Sequence, residues 1–352
     1  MKLTNPHLCV PAPHSFRISY VGSIPPESTA DYRTRALQRL GQDVDIFNID
    51  PLLHGGRYLR ALRLRYPVGP LVEGLNRALL QHIETVRPEI VFLDKPVYFT
   101  LQTIRGIKQT GAKIVLYMQD NPFGPRNDGC WLQFYRIYRE ADLLCAIREA
   151  DVERYRKWSL PFVRIMFSYE PTVHFPPDAA WSDKDRDREV SYIGHPHENR
   201  PAFLLEIGEK YQLPVAISGN GWSNILTPKQ KQLFFSKGFL LGAAYREAIW
   251  KSKINLSFVT QQNEDDIAHK SIEIAACGGF LLALRTTGHQ ACFEEDKEAV
   301  FFSSIEECAE KARYYLEHPE EREAIARRGQ ARAIQSGYSN DTQLAKILNC
   351  IA

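Results

Sequence analysis

The sequence has no long hydrophobic stretch and no clustered cysteines. No segment approaches the roughly 18 consecutive apolar residues of a membrane span, and the polar, proline-bearing start from Met1 to Phe16 lacks the apolar core of a secretory signal. The seven cysteines include no Cys-x-x-Cys pair, so a structural zinc site is not expected. These absences predict a cytoplasmic protein with reduced thiols.

Neither sign of charge dominates the chain. The sequence has 44 Lys and Arg against 42 Asp and Glu, a net charge of +2, which is too small for the usual electrostatic footprint of a nucleic-acid-binding protein. The charge is uneven, because residues 1–170 carry 23 basic and 17 acidic side chains. In this half Arg57, Arg60, Arg63 and Arg65 alternate with Leu and Tyr. One prediction is that this run contacts an anionic acceptor or an anionic membrane surface, and in the second case the protein would be peripheral to the membrane. The alternative is that the run forms a solvated helix face.

Short apolar runs alternate with helical patterns along both halves of the chain. At 352 residues, with 44% hydrophobic residues, the chain is long enough for about two domains. The predicted strands are Phe16–Gly22, Val44–Asp50, Glu89–Lys95, Lys113–Asp120, Leu143–Ile147, Val163–Phe167, Glu189–Gly194, Val215–Ser218, Ile254–Val259, Phe280–Leu284 and Ala299–Phe302. Helical patterns separate most of them, so we predict parallel sheets covered by helices on both faces.

The alternation is interrupted once, near the middle of the chain. The proline-bearing stretch Tyr169–Asp178 and the charged residues after it are typical of a linker between domains. We therefore predict an α/β protein with two Rossmann-like domains facing across a cleft, an N-terminal domain of residues 1–172 and a C-terminal domain of residues 173–335. A last helix in residues 336–352 is expected to pack back on the N-terminal domain.

The most informative motif is His269–Leu284. Lys270 and Glu273 are three residues apart, so they are predicted to project from one face of a short helix. The amides of the first helical turn suit a diphosphate. Gly278 and Gly279 then end the helix before an apolar strand. An ordinary amphipathic helix with a glycine cap is the alternative explanation of this segment alone.

Polar residues also follow other predicted strands, where ligands bind in parallel sheets. In the first half, Gly22 and Ser23 follow the first strand, and Asp120 and Asn121 follow the fourth. These four residues are predicted either to line an acceptor pocket or to serve ordinary turns and helix caps.

In the second half the ordered motifs resemble the group 1 glycosyltransferases of GT-B architecture (family 4-like), most closely the branch related to the spore maturation protein CgeB. The matching features are Tyr192-Ile-Gly194 with Asn199-Arg200, Ser218-Gly-Asn-Gly-Trp222, Ser252-Lys-Ile-Asn255-Leu256, Lys270-Ser-Ile-Glu273-Ile-Ala-Ala-Cys-Gly-Gly, Phe293-Glu294 and the stretch from Tyr314 to Arg322. The likeness extends from about Val190 to Arg332. The first half agrees in its β-α pattern and in the linker.

The resemblance implies a hexosyltransferase that binds a nucleoside diphosphate sugar in its second domain and uses neither a cofactor nor a metal. Family members carry two acidic residues eight positions apart. Glu273 fits the one that binds ribose hydroxyls, and Asp265 fits the one that touches the donor sugar. Because Asp265 replaces the usual Glu, Glu264 and Asp266 are alternatives. Relatives with this acidic pair retain the configuration of the transferred sugar.

The resemblance also implies how the leaving group is stabilised. Lys270 stands where the related branch tends to have Arg, and a lysine neutralises a diphosphate as a point charge without the bidentate fork. Together with Arg200 it is expected to stabilise the negative charge that develops as the sugar leaves. The other residues expected at the donor site are Gly194, Gly219, Trp222, His269 and Ser271.

The sequence also contains two possible metal-binding segments and is compatible with other functions. The segments Asp43-Val-Asp45 and Asp183-Lys-Asp185-Arg-Asp187 match the metal-binding Asp-x-Asp of the GT-A class, but their positions beside a strand and in the linker favour solvated charge. The alternative functions are another sugar-nucleotide enzyme of the same architecture, such as a 2-epimerase, and a non-catalytic sugar-nucleotide-binding protein. The acceptor, whether glycan, protein or small molecule, is not indicated by the sequence.

Overall fold

The computed structural model describes residues 14–53, 55–125, 130–179 and 181–352, which form two compact units. The first unit contains the described residues up to Met166, together with Gln262–Glu264 and Asn340–Ala352. The second contains Phe167–Gln261 and Asp265–Ser339. No helix within the described ranges is both long enough and apolar enough to cross a bilayer.

The first unit alternates parallel strands with helices. The strands are β1 (Arg17–Gly22), β2 (Asp43–Asn48), β3 (Ile90–Asp94), β4 (Lys113–Tyr117), β5 (Leu143–Ala146) and β6 (Phe162–Arg164). The helices are α1 (Thr29–Arg39), α2 (Arg57–Arg65), α3 (Pro70–Val86), α4 (Leu101–Gln109), α5 (Phe134–Ile137) and α6 (Glu149–Lys157), joined by the last helix of the chain, Asn340–Ile351. The strand order is β2-β1-β3-β4-β5-β6.

The second unit repeats this plan. Its strands are β7 (Arg188–Ile193), β8 (Val215–Ser218), β9 (Phe235–Lys237), β10 (Ser252–Ser257), β11 (Leu281–Leu284) and β12 (Val300–Phe302). Its helices are α7 (Arg200–Glu209), α8 (Pro228–Phe234), α9 (Gly242–Trp250), α10 (His269–Ala276), α11 (Thr287–Cys292), α12 (Ile305–Glu317) and α13 (Pro319–Gln335). The helix Asn340–Ile351, which belongs to the first unit, is labelled α14. The strand order is β12-β11-β10-β7-β8-β9.

The strand order places a ligand-binding crevice in each unit. In open parallel sheets, ligands bind at the carboxyl ends of the strands where the order reverses. The reversal falls between β1 and β3 in the first unit and between β7 and β10 in the second. The residues that follow these four strands are therefore the first candidates for a site.

Helix α14 is part of the first unit although it ends the chain. Asp341 at its start accepts a 2.8 Å hydrogen bond from Nη2 of Arg39, and Nζ of Lys113 donates to the backbone oxygen of Ile351 at 2.9 Å. The side chain of Asp341 is only 6% exposed. The last residues thus complete the packing of the first sheet.

The predicted α/β class with two Rossmann-like sheets is confirmed, and each predicted strand is present. The edge strand β9 was not predicted, because a three-residue strand directly after a helix carries almost no periodic signal. One of the helical patterns between the predicted strands covers Trp131–Glu140, and the structure has a shorter helix there, α5, followed by a 3-10 turn at Tyr138–Glu140.

Candidate functional site

Two glycine-containing loops meet at the reversal point of the second sheet. The amide of Gly194, which follows β7, donates to the carbonyl of Ser218 at the end of β8, at 2.8 Å. Gly219 has φ +137°, and a Cβ there would lie 2.1 Å from the carbonyl oxygen of Gly194. Only glycine satisfies both conditions. The structure therefore brings these two predicted residues together.

Two residues that we expected to contact the donor point inward instead. Trp222 is fully buried, and its indole N–H donates to the carbonyl of Gly194 at 2.7 Å. Ser271 is also fully buried. Its hydroxyl donates to Oγ of Ser257 at 2.9 Å and lies 2.7 Å from Nε2 of His289. Both side chains support the loops and helix of the site rather than contact a ligand, which corrects our prediction.

Glu273 is the acidic centre of the site. Its carboxylate is 10% exposed, accepts a hydrogen bond from the hydroxyl of Tyr245 at 2.8 Å, and lies 3.0 Å from Nδ1 of His269. Burial alone would raise the pKa of Glu273, but the attraction of His269, His174 and then Lys270 outweighs it and holds the pKa well below its ordinary value. Glu273 is therefore ionised.

Tyr245 and His174 also lie against Glu273, and the sequence did not predict either of them at this site. Burial and the charge of Glu273 raise the pKa of Tyr245 well above its ordinary value, so its hydroxyl stays protonated and donates. Nδ1 of His174 accepts the backbone N–H of Glu170 at 3.0 Å, which leaves its Nε2 to face Glu273 at 3.8 Å. No local motif marks either residue, since both reach Glu273 from distant parts of the sequence.

Lys270 and Arg200 form the cationic side of the site. Within the described residues, the ammonium of Lys270 makes no hydrogen bond or salt bridge. Burial lowers the pKa of Lys270, and repulsion from Arg200 adds to this effect, although Glu273 attracts the charge. Its Cε would lie 3.2 Å from a Cβ placed on Gly194. A half-buried cation beside a second cation indicates a place for an anion.

Arg200 begins α7 and is 9% exposed. Its guanidinium donates to the hydroxyl of Tyr192 at 3.3 Å, to the carbonyl of Val259 at 3.1 Å and to Oγ1 of Thr260 at 3.0 Å. Its Nε is buried and finds no hydrogen-bond partner among the described residues. These bonds hold the guanidinium at the point where β7 and β10 end.

The acidic residues near position 265 are placed differently from one another. Asp265 is half-buried and belongs to the second unit, and its amide donates to the carbonyl of Thr260 at 3.1 Å. Glu264 belongs to the first unit, where Arg154 and Asn121 donate to its carboxylate at 2.6 and 2.7 Å. The carboxylate of Glu264 is therefore occupied by an ion pair with Arg154. This makes Glu264 a weaker candidate than Asp265 for the acidic residue expected at the donor sugar.

A separate cavity of about 660 Å³ lies at the reversal point of the first sheet. Ser23 after β1 and Lys95 after β3 line it, together with the start of α1. Beside it, Gly22 brings β1 close to β3, since a Cβ there would lie 3.1 Å from the carbonyl oxygen of Asp94. Arg33 contributes a buried salt bridge to Asp94 at 2.6 Å. Two of the predicted acceptor residues, Gly22 and Ser23, are thus at this cavity.

The other two predicted acceptor residues lie outside this cavity. Asp120 pairs with Lys95 at 2.6 Å, and although burial would raise the pKa of Asp120, the attraction of Lys95 lowers it. Asn121 is fully buried and donates to Glu264 and to the carbonyl of Asn263. Of the two alternatives for Asn121, an acceptor pocket or a local structural role, these contacts favour the second, because the side-chain amide holds the segment Gln262–Glu264.

The two Asp-x-Asp segments show no metal-binding arrangement. Among the described residues there is no group of three or more His, Cys, Asp or Glu side chains that could hold a metal ion. Asp45 pairs with His82 at 2.6 Å. Asp183 accepts from the buried Arg322, and Asp185 accepts from the hydroxyl of Ser182 at 2.9 Å. These carboxylates have local structural partners.

Solved structures of the GT-B class share this fold over nearly the whole chain. Sucrose-phosphate synthase from Thermosynechococcus elongatus matches 94% of this chain and 98% of its own, with 10% identity and a TM-score of 0.66. Anabaena HepE in complex with UDP-glucose matches 95% of this chain and 99% of its own, with 13% identity and a TM-score of 0.66. At such low identity the likeness defines the architecture, which is GT-B.

Within that class, residues 200–349 match the family model described as glycosyl transferase-like. The resemblance to GT-B glycosyltransferases is confirmed, while the CgeB-related branch stays a prediction. No curated protein matches the chain in sequence. A weaker structural match is a putative UDP-N-acetylglucosamine 2-epimerase from Listeria monocytogenes, which covers 92% of this chain and 94% of its own, with 12% identity and a TM-score of 0.53.

Proposed function

We propose that this protein is a glycosyltransferase that moves a sugar from a nucleoside diphosphate sugar, bound by the second unit, to an acceptor. The observation that carries the proposal is a pair of cations at the reversal point of the second sheet, the half-buried Lys270 and the buried Arg200. Neither makes a salt bridge to a described residue, and burial disfavours the charge of Lys270. An anionic ligand compensates such charges. A nucleoside diphosphate meets the needs of both sides of the site, because its diphosphate compensates Lys270 and Arg200 while its ribose binds Glu273.

The proposed chemistry breaks the bond between the anomeric carbon and the diphosphate oxygen, and the electron pair leaves with the diphosphate. The acceptor hydroxyl oxygen forms the new bond to the anomeric carbon, and its proton passes to the departing phosphate oxygen on the same face of the sugar. Lys270 and Arg200 stabilise the growing negative charge. Asp265 is assigned to the donor sugar. This course retains the anomeric configuration and requires no metal.

The ligands are proposed at the level of chemical class. HepE, which has a similar fold, was crystallised with UDP-glucose, so hexoses linked to UDP are the first donors to test. For the acceptor, we propose the cavity at the end of β1 and β3. It has polar and charged lining at Ser23, Lys95 and Arg33 together with apolar lining at Leu53 and Val97. This combination suits a hydroxyl-bearing acceptor.

The test begins with calorimetry, in which UDP, GDP, ADP and TDP are titrated into the full chain. The sugar nucleotide with the best base is then incubated with and without a panel of glycans, peptides and glycolipids. Acceptor-dependent release of the nucleoside diphosphate supports a glycosyltransferase. Conversion to an epimeric sugar, or release without an acceptor product, favours the 2-epimerase. Tight binding with no turnover favours a binding protein.

A variant pair ties the result to the site. Lys270→Met and Lys229→Met make the same change at a half-buried and at an exposed position of the second unit. Only the first is expected to lower turnover. Equal loss in both variants would contradict the proposed role of the site.

A further inference from the structure

Helix α2 exposes an apolar face that the rest of the first unit does not cover. Tyr58 is 89% exposed, and Leu59, Leu62 and Tyr66 are 58%, 56% and 54% exposed. Tyr58 and Leu62 are four positions apart and Leu59 is three positions before Leu62, so these three side chains share one face of the helix, and Tyr66 directly follows its last residue. We call these four residues the α2 apolar face.

The opposite side of α2 anchors it to the first unit. Leu64 packs against the core of that unit, and Nη1 of Arg63 donates to the carbonyl of Leu53 at 2.9 Å. Arg63 also lines the cavity of the first unit. Its predicted contact with an external surface is therefore corrected, because its guanidinium turns toward the protein. The contacts of Arg63 and Leu64 fix which side of α2 faces the protein, and they leave the α2 apolar face exposed.

The segment that contains α2 carries charge of one sign, and the nearest acidic residues in sequence are Asp50 before it and Glu73 after it. From Pro51 to Val72 the sequence contains four arginines and no acidic residue. Arg65 is exposed on α2, whereas the side chains of Arg57 and Arg60 lie outside the described part of the structure. Val68 and Leu71 just after the helix are 54% and 37% exposed, which extends the apolar surface toward α3.

We propose that the α2 apolar face docks on an anionic lipid surface. A short helix with large apolar side chains on one face and arginines beside them lies in the interface of a bilayer with its apolar face inserted. Anionic lipid headgroups complement a segment that has only basic charge. Pairing of two copies through this face would bring like charges together, which disfavours self-association. The inference does not depend on the donor site.

Flotation of the full chain with lipid vesicles tests this proposal without any sugar nucleotide. We expect binding to vesicles of phosphatidylcholine mixed with phosphatidylserine, and much weaker binding to phosphatidylcholine alone. Binding should also weaken as salt is raised, because the electrostatic attraction is screened within about 10 Å at 0.1 M salt. Equal binding to both vesicle types, or no binding to either, would overturn the proposal.

Two variants and one matched control locate the contact. Tyr58→Ser combined with Leu62→Ser should lower the apparent vesicle affinity more than tenfold, since two large side chains no longer enter the bilayer. Arg65→Ala should lower it about fivefold. The control, Leu233→Ser with Phe239→Ser, changes residues of the second unit that are 61% and 55% exposed, and it should bind like the unaltered protein.

Further measurements separate the proposal from its competitors. Circular dichroism should show that each variant keeps its helix content, because all the changed side chains are exposed. The proposal is overturned if the control loses as much binding as the α2 variant. It is equally overturned if sedimentation velocity shows dimers that the α2 variant abolishes while no vesicle binding occurs.

Discussion

Replacement of Lys270 by methionine should make the protein more stable and less active. Lys270 is half-buried, and its ammonium makes no hydrogen bond or salt bridge to a described residue. Burial and repulsion from Arg200 disfavour its charged form despite the attraction of Glu273. Methionine has a similar length, no charge and a flexible chain that fills irregular space. The substitution thus removes a charge that the unliganded fold has to accommodate.

The magnitude follows from the partial burial of the ammonium. A fully buried unpaired ion costs several kcal/mol. Because Lys270 keeps some exposure, we expect Lys270→Met to raise the free energy of unfolding by roughly 1 kcal/mol, or Tm by about 2–4 °C. The depressed pKa has a second consequence. In the unaltered protein this penalty is fully present below the folded-state pKa and is relieved as pH rises toward 10.5, the value of an unperturbed lysine.

The effect on catalysis should be opposite in sign. Interactions that strengthen only in the transition state affect kcat, and loss of one preorganised donor costs about 100-fold or more. We therefore expect kcat to fall by about that factor while the dissociation constant of the donor changes less. Lys270→Arg should recover part of the rate, because it keeps the charge.

Thermal unfolding and nucleoside diphosphate release measure the two effects on the same samples. Lys229→Met, at an exposed position, is the control and should change neither. A lower Tm with unchanged kcat would refute the reasoning and make the ammonium a structural group. Weaker donor binding with unchanged kcat would instead show that Lys270 binds the donor in the ground state. Arg200 would then be the residue that stabilises the leaving group.

Three further predictions concern the carboxylate, the metal and the pH dependence. Calorimetry should show that Glu273→Gln weakens nucleotide binding roughly 10- to 100-fold, because a charge-assisted hydrogen-bond acceptor is worth about 1.5–3 kcal/mol. Tyr245→Phe should weaken nucleotide binding less. Unchanged nucleotide affinity in Glu273→Gln would exclude the ribose role. Turnover should survive EDTA, and activity lost in chelator but restored by manganese would favour an Asp-x-Asp metal site. Burial lowers the pKa of His289 to about 4 in the folded protein. As pH falls, the imidazole is therefore protonated in the unfolded chain before it is protonated in the folded one. Urea unfolding should show that the free energy of unfolding falls between pH 6.5 and about 4. His289→Gln should remove that part of the slope, and an unaltered slope would show that other groups cause it.

The local pattern of the sequence was sufficient for eleven of the twelve strands. Strands covered on both faces appear as short continuous apolar runs, which is why all five residues of β3 are buried. The motif at His269–Leu284 likewise predicted α10 and its acidic and basic residues. Glycines at the strand ends were informative because their conformations are local, as at Gly219.

The direction of the side chains within these elements could not be read from local pattern. Ser271 lies next to Lys270 in sequence, yet it is fully buried against His289. The sequence grouped Trp222 with the glycines expected at the donor site, but its indole is buried and donates to the carbonyl of Gly194. Both outcomes depend on which neighbouring strands and helices cover each position.

Contacts between distant parts of the chain were decided by tertiary structure alone. Tyr245 reaches Glu273 from α9, Glu264 joins Arg154 in the first unit, and α14 pairs with Arg39 near the other end of the chain. The arginine run of α2 was visible in the sequence, but only the packing of Leu64 shows which face of the helix is left exposed. Periodicity records which faces of an element are apolar; it does not record the order of strands in a sheet, and that order determines which distant side chains meet.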